Sequence, residues 1–70
     1  MTSPMIQGTP VTSAHKGEEV IYVPSHANGD VQHQDCERGE ITSFNGVHVF
    51  VRYGDDDTSK ATRYDDLVWA

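Results

Sequence analysis

The chain has 70 residues, a net charge of −6 and one cysteine. That length suits one small domain with a few core side chains and leaves no room for a deep catalytic cleft. The acidic balance argues against a general DNA or RNA binder, whose affinity draws on Lys and Arg against phosphate, and the lone thiol of Cys36 excludes an intramolecular disulfide. The acid is concentrated late: from Asp30 onward, Arg38, Arg52, Lys60 and Arg63 face nine carboxylates. Such a surface keeps a small domain soluble, and it could also meet a basic protein surface or mimic a nucleic acid. No apolar run approaches the roughly 18 residues of a membrane span. The start lacks the basic-then-apolar order of a signal peptide, so the expected location is cytoplasmic.

Residues 1–16 hold two prolines, one glycine and five Ser/Thr residues, with no helix or strand period. They are expected as a flexible tail, with residues 17–70 as the folded domain. Met5, Ile6 and Val11 leave open a segment that orders on a partner. Val20-Ile21-Tyr22-Val23 is β-branched and aromatic and reads as a strand, which Pro24 ends. Residues 25–35 read as a long loop around the turn signature Asn28-Gly29-Asp30.

A second strand is expected from Cys36 to Phe44, with Gly39 near its start allowing a sharp bend. Asn45-Gly46 suits a type I′ hairpin turn. Val47 to Tyr53 alternates, with Val47, Val49, Val51 and Tyr53 on one face and His48, Phe50 and Arg52 on the other. A strict two-residue turn pairs Phe44 with Val47, Thr42 with Val49 and Ile41 with Phe50. Ile41 then lies opposite the valine row, so either both faces are apolar or a bulge, expected near Gly39, resets the register. Residues 54–60 read as an acidic loop and Ala61-Thr62-Arg63 as a strand. Tyr64 to Leu67 reads as one helical turn, and Val68-Trp69 as a last strand closing on the first. Tyr22 and Trp69 are expected in that closure and in the core.

The runs Gly39-Glu40-Ile41-Thr42-Ser43, Val49-Phe50-Val51-Arg52-Tyr53-Gly54-Asp55 and Asp66-Leu67-Val68, with the element order above, resemble Tudor and other SH3-like small barrels. The resemblance covers about residues 17–69 and implies an all-β, SH3-like barrel of about five short strands. Tudor domains often bind methylated arginine or lysine in an aromatic cage, and Tyr53 matches one cage tyrosine by its place at the end of the third strand. Where the family has an aromatic after the first strand, this chain has Pro24, Ser25 and His26. Beyond Tyr53, Gly54 is followed by aspartates instead of a second ring. The stretch from His26 to Glu37 also looks like small uncharacterised phage or prophage proteins.

Three groups of residues could carry chemistry. His26, Asp30, His33 and Cys36 are all zinc-ligand types within a short loop, although their spacing matches no standard finger. The plainer reading has the imidazoles capping loop carbonyls and Cys36 as a small apolar residue. A Cys36–His33 nucleophile pair lacks an orienting third residue, and Asp35 and Glu37 beside the thiol oppose thiolate formation. Asp55-Asp56-Asp57 lacks the glycine and distal glutamate of an EF-hand loop and reads as a solvated turn. Phe50 between His48 and Arg52 reads as an exposed aromatic suited to an interface.

The expected function is a non-enzymatic interaction module binding a protein through Phe50, His48, Arg52, Tyr53 and His26. It needs no cofactor, zinc being the one metal the loop could take, and nucleic acid and membrane are not expected partners. The alternatives are a phage-type inhibitor or nucleic-acid mimic using carboxylates 55–57 and 65–66, and a metal-stabilised structural module.

Overall fold

Short β-branched and aromatic runs separated by Gly, Pro, Asn and Asp leave no stretch long enough for an α-helix. The computed structural model describes residues 5–70, and these fold as all-β structure. The strands are β1 (Met5–Ile6), β2 (Thr9–Pro10), β3 (Glu19–Tyr22), β4 (Glu37–Phe44), β5 (His48–Tyr53), β6 (Lys60–Arg63) and β7 (Leu67–Trp69). Single 3-10 turns lie at Ser13–His15, Ser25–Ala27 and Tyr64–Asp66. One sheet runs β6-β5-β4-β3-β7, every neighbour antiparallel, and β1-β2 form a separate ladder. The last strand returns to the first strand of the larger sheet, pairing Val20 with Trp69 and Tyr22 with Leu67. No ladder joins β6 to β7 among the described residues, so hydrogen bonds do not close the sheet on itself. No helix among the described residues is long and apolar enough to cross a membrane.

Period-two alternation decides which side chains meet. Val20, Ile41, Val49, Val51, Tyr53 and Leu67 form the main core, joined by Ile6 and Val11. On the other side of the sheet, Ile21 and Val68 pair across β3 and β7. They pack with Val23, Ala27 and Cys36 in a second, smaller cluster. The 24–36 segment therefore lies over the outer face of β3 and β7.

The expected tail needs correction where it is described; its first four residues lie outside the described residues. Met5 pairs with Pro10 and Ile6 with Thr9 across a two-residue turn at Gln7-Gly8, both with positive φ. That is the backbone signature of a type I′ turn. So small a hairpin is not stable alone. It is held because Ile6 and Val11 are buried in the main core. The Trp69 backbone N–H also donates to Gln7 Oε1 at 2.9 Å, and Trp69 Nε1 donates to the Ile6 carbonyl at 3.1 Å. Composition missed this because two well-placed apolar side chains carry it, not a periodic run.

The β4–β5 hairpin also differs from expectation. Phe44 pairs with Val49, Ser43 with Phe50 and Ile41 with Val51, with a bulge at Thr42 and not near Gly39. The Asn45 N–H donates to the His48 carbonyl at 2.9 Å, so Gly46 and Val47 form the tip. Neither Asn45 nor Gly46 has positive φ, which rules out a type I′ turn there. Asn45 acts through its side chain instead: Oδ1 accepts the N–H groups of Val47 and His48 at 2.7 and 2.8 Å. The Tyr64 hydroxyl pins the tip by donating to the Asn45 carbonyl. Val47, expected in the buried row, is 68% exposed. The register is shifted by two residues, which keeps the faces as they were, and the bulge then places Ile41 on the Val49–Val51 face. At the bulge, Thr42 Oγ1 donates to the Phe50 carbonyl at 3.0 Å and shares a hydrogen bond of 2.6 Å with Ser59.

This turn chemistry gives a clear test. Gly46 has open space where a Cβ would go, so Gly46→Ala is expected to change stability by less than about 0.5 kcal/mol. Asn45→Ala removes the acceptor for two amides and is expected to cost about 1 kcal/mol. Urea unfolding of the two variants measures the difference. The opposite ranking would restore a type I′ turn at Asn45-Gly46.

Candidate ligand pocket between Tyr22 and Tyr53

Tyr22 ends β3 and Tyr53 ends β5, and parity with Val20 and with Val49 and Val51 sends both rings inward. At this end the core row finishes in two aromatic rings, 6.4 Å between centroids and 73° between planes. The Tyr53 hydroxyl lies 2.7 Å from Thr62 Oγ1. Thr62 in turn donates to the Lys60 carbonyl, so Tyr53 serves as the donor to Thr62. Burial raises the Tyr53 pKa above its ordinary value; the Thr62 hydrogen bond opposes that, and the charges of Glu37 and Asp66 add to the rise. Tyr53 is therefore a neutral phenol at physiological pH.

The rings border a cavity of about 260 Å³ whose walls include Glu37, Thr62 and Asp66, with β6 along one side. Glu37 is there because it pairs with Tyr22 across the β3–β4 ladder. Asp66 is there because the 3-10 turn docks on β3, its carbonyl accepting the Val23 N–H at 2.7 Å. The cations of β6 are engaged elsewhere: Lys60 lies 3.8 Å from Asp56, and Arg63 lies 3.8 Å from Asp65. Among the described residues, Glu37 and Asp66 form no ion pair. Lys60 and Arg63 line the cavity as well, so it carries two carboxylates and two cations beside the rings. The carboxylates nearest those cations are Asp56 and Asp65, which leaves Glu37 and Asp66 to attract a positive charge between the rings.

The residues expected to bind a partner do not form one surface. His48, Phe50 and Arg52 share the outer face of β5, but Phe50 is half-buried and stands between Ser43 and Ala61 in the sheet. It is not the exposed aromatic anticipated; the exposed large apolar side chains are Met5, Val31 and Val47. Arg52 is paired with Glu40. Tyr53 lies on the inner face, and His26 belongs to the loop over β3 and β7, two strands away.

The expected metal set is also rearranged. Asp30 Oδ1 accepts the Gln32 N–H at 2.9 Å, and Cys36 Sγ donates to the Asp30 carbonyl at 3.2 Å. Both are committed to local turn structure, and Cys36 is bonded to a carbonyl and not to the His33 imidazole. Asp35 takes their place beside His26 and His33. The acidic stretch 55–57 is exposed, and the pairing of Asp56 with Lys60 and Asp65 with Arg63 interleaves the two signs there.

Sequence reasoning missed Tyr22, Glu37 and Asp66 as pocket residues. The available signal was parity: Tyr22 and Tyr53 both close strands whose inward residues are apolar. No family model matches the chain, and no curated protein or solved structure matches it.

Proposed function

We propose that the chain is a non-enzymatic interaction module, an SH3-like barrel that receives a basic side chain of a protein partner between Tyr22 and Tyr53. The observation that carries this reading is the pair Glu37 and Asp66 beside two aromatic rings, unpaired among the described residues because the cavity's own cations, Lys60 and Arg63, lie against Asp56 and Asp65. A cation there gains ring-face attraction, worth about 0.5–2 kcal/mol depending on desolvation, as well as two opposite charges. The barrel assignment is supported by the element order: long loop, bent strand, hairpin, short strand, one 3-10 turn and a last strand back on the first. It is also supported by the Tudor-like placement of Tyr53.

The test is an NMR titration of the full chain with short peptides carrying lysine, trimethyl-lysine or dimethyl-arginine, with an acidic peptide as control. Basic peptides are expected to shift the amides of Tyr22, Glu37, Tyr53 and Asp66. Tyr22→Ala is expected to weaken binding about 3–30-fold, and the double variant Glu37→Gln with Asp66→Asn to weaken it further. No shift at millimolar basic peptide, or equal binding by the double variant, would overturn the reading.

A further inference from the structure

The 24–36 segment gathers two imidazoles and a carboxylate at one point of the surface. One donor atom from each of His26, His33 and Asp35 lies within 4.8 Å of the other two. Asp35 Oδ2 is 2.7 Å from His26 Nε2 and 4.0 Å from His33 Nδ1. Ligands of one zinc ion at about 2.0–2.2 Å stand roughly 3.3 Å apart in a tetrahedral arrangement. The two spacings bracket that value, so sub-ångström to ångström side-chain shifts suffice.

The backbone holds these positions. His26 sits in the 3-10 turn whose next residue, Ala27, is buried in the smaller core. The His33 N–H donates to the Asp30 carbonyl at 3.0 Å, and the Cys36 N–H donates to the His33 carbonyl at 3.0 Å, closing consecutive turns on either side of His33. The two imidazole rings meet edge to face at 5.3 Å. His33 Nδ1 accepts the Asp35 N–H at 3.0 Å, so its lone pair is held by that amide, and an ion binding there must break this one hydrogen bond.

We propose that His26, His33 and Asp35 form a binding site for a divalent transition-metal ion of the zinc class, with water completing the coordination. Two imidazoles and one carboxylate suit such an ion better than magnesium or calcium, which take oxygen ligands. Binding takes the place of the proton between His26 Nε2 and Asp35 Oδ2, which is released to solvent, and frees the Asp35 N–H from His33 Nδ1 to bond water instead. The ion would tie the two ends of the longest connection in the large sheet and strengthen its cover over Ile21 and Val68. This site is separate from the Tyr22–Tyr53 pocket and stands or falls independently of it.

Zinc chloride is the probe, added to the full chain after chelator treatment, with thermal unfolding and imidazole NMR as readouts. Zinc at 100 µM is expected to raise the unfolding midpoint by about 5 °C or more. It is also expected to shift the ring signals of His26 and His33 while leaving those of His15 and His48 in place. His26→Ala and His33→Ala are expected to abolish the midpoint shift, and Cys36→Ser to retain it. An unchanged midpoint and unchanged His26 and His33 signals in the wild type would overturn the site. So would a zinc shift that survives both alanine variants, or one lost in Cys36→Ser.

Discussion

Replacing Ile6 by alanine is expected to lower the unfolding free energy by about 3 kcal/mol, within the range for large-to-small changes in a packed core. A single core in a chain of this size rarely supplies more than about 3–5 kcal/mol, so the variant should be substantially unfolded at room temperature. Ile6 has 0% exposure and sits among Val20, Ile41, Val49 and Leu67 although its strand has only two residues. Truncation at its Cβ leaves a cavity that the small hairpin can fill only by giving up its ladder and the bonds from Trp69 to Gln7 and Ile6. Met5, the neighbouring residue, is 49% exposed, and Met5→Ala is expected to change stability by less than about 0.5 kcal/mol. Urea titration followed by circular dichroism compares the pair. Equal midpoints for Ile6→Ala and Met5→Ala would mean that residues 5–16 contribute no core and behave as a tail.

Ile6 also marks the limit of what could be read from the chain. Alternation from His48 to Tyr53 is a local property, and it placed Val49, Val51 and Tyr53 inward correctly. The 3-10 turn at Tyr64–Asp66 and the return of β7 to β3 were likewise legible, because turn-forming residues flank short apolar runs there. Register between strands is not local. It depended on Asn45 accepting two amides with its side chain and on Thr42 bulging with its hydroxyl on the Phe50 carbonyl. The turn moves the pairing by two residues and the bulge alone moves Ile41 between faces, and neither detail leaves a periodic trace. The tail was misread for a related reason: its positive-φ pair is Gln7-Gly8, and glutamine gives no turn signal as strong as asparagine.

The two sites were legible in different degrees. In the loop, residue types alone singled out His26 and His33, and the fold does bring these two side chains together, with Asp35 as the third. Asp30 and Cys36 do not join that group: Asp30 Oδ1 accepts the Gln32 N–H and Cys36 Sγ donates to the Asp30 carbonyl, as short polar side chains in loops commonly do. The pocket depended on three strands and a 3-10 turn converging, so Glu37 and Asp66, far apart in the chain, had no sequence signature of their own. Resemblance singled out Tyr53, and the ring beside it is that of Tyr22, which had been read as core. Half of that reading holds: Tyr22 packs against the main core while also lining the cavity.

Gly39 connects core and pocket, and its replacement is expected to damage both. A Cβ built there would lie 2.6 Å from Val51 Cγ1, 2.7 Å from the Arg52 carbonyl oxygen and 2.9 Å from Tyr53 Cδ1. Its backbone φ is ordinary for any residue, so the requirement is for space and not for a left-handed conformation. The Val51 side chain could turn, but the Arg52 carbonyl belongs to the strand that pairs Glu40 with Arg52 and Gly39 with Tyr53. Relief therefore needs the two strands to part where they are pinned on both sides. Overpacking of this kind costs about 1–3 kcal/mol, and Gly39→Ala is expected near the upper end because a backbone atom must move. Gly39→Val should fail to fold. Because the Tyr53 ring is one of the atoms displaced, a folded Gly39→Ala chain should also bind basic peptides more weakly than wild type at temperatures where both are native. Urea unfolding and the peptide titration separate the two effects. A Gly39→Ala variant as stable as Gly46→Ala would show that β4 and β5 do not approach as closely as their pairing requires.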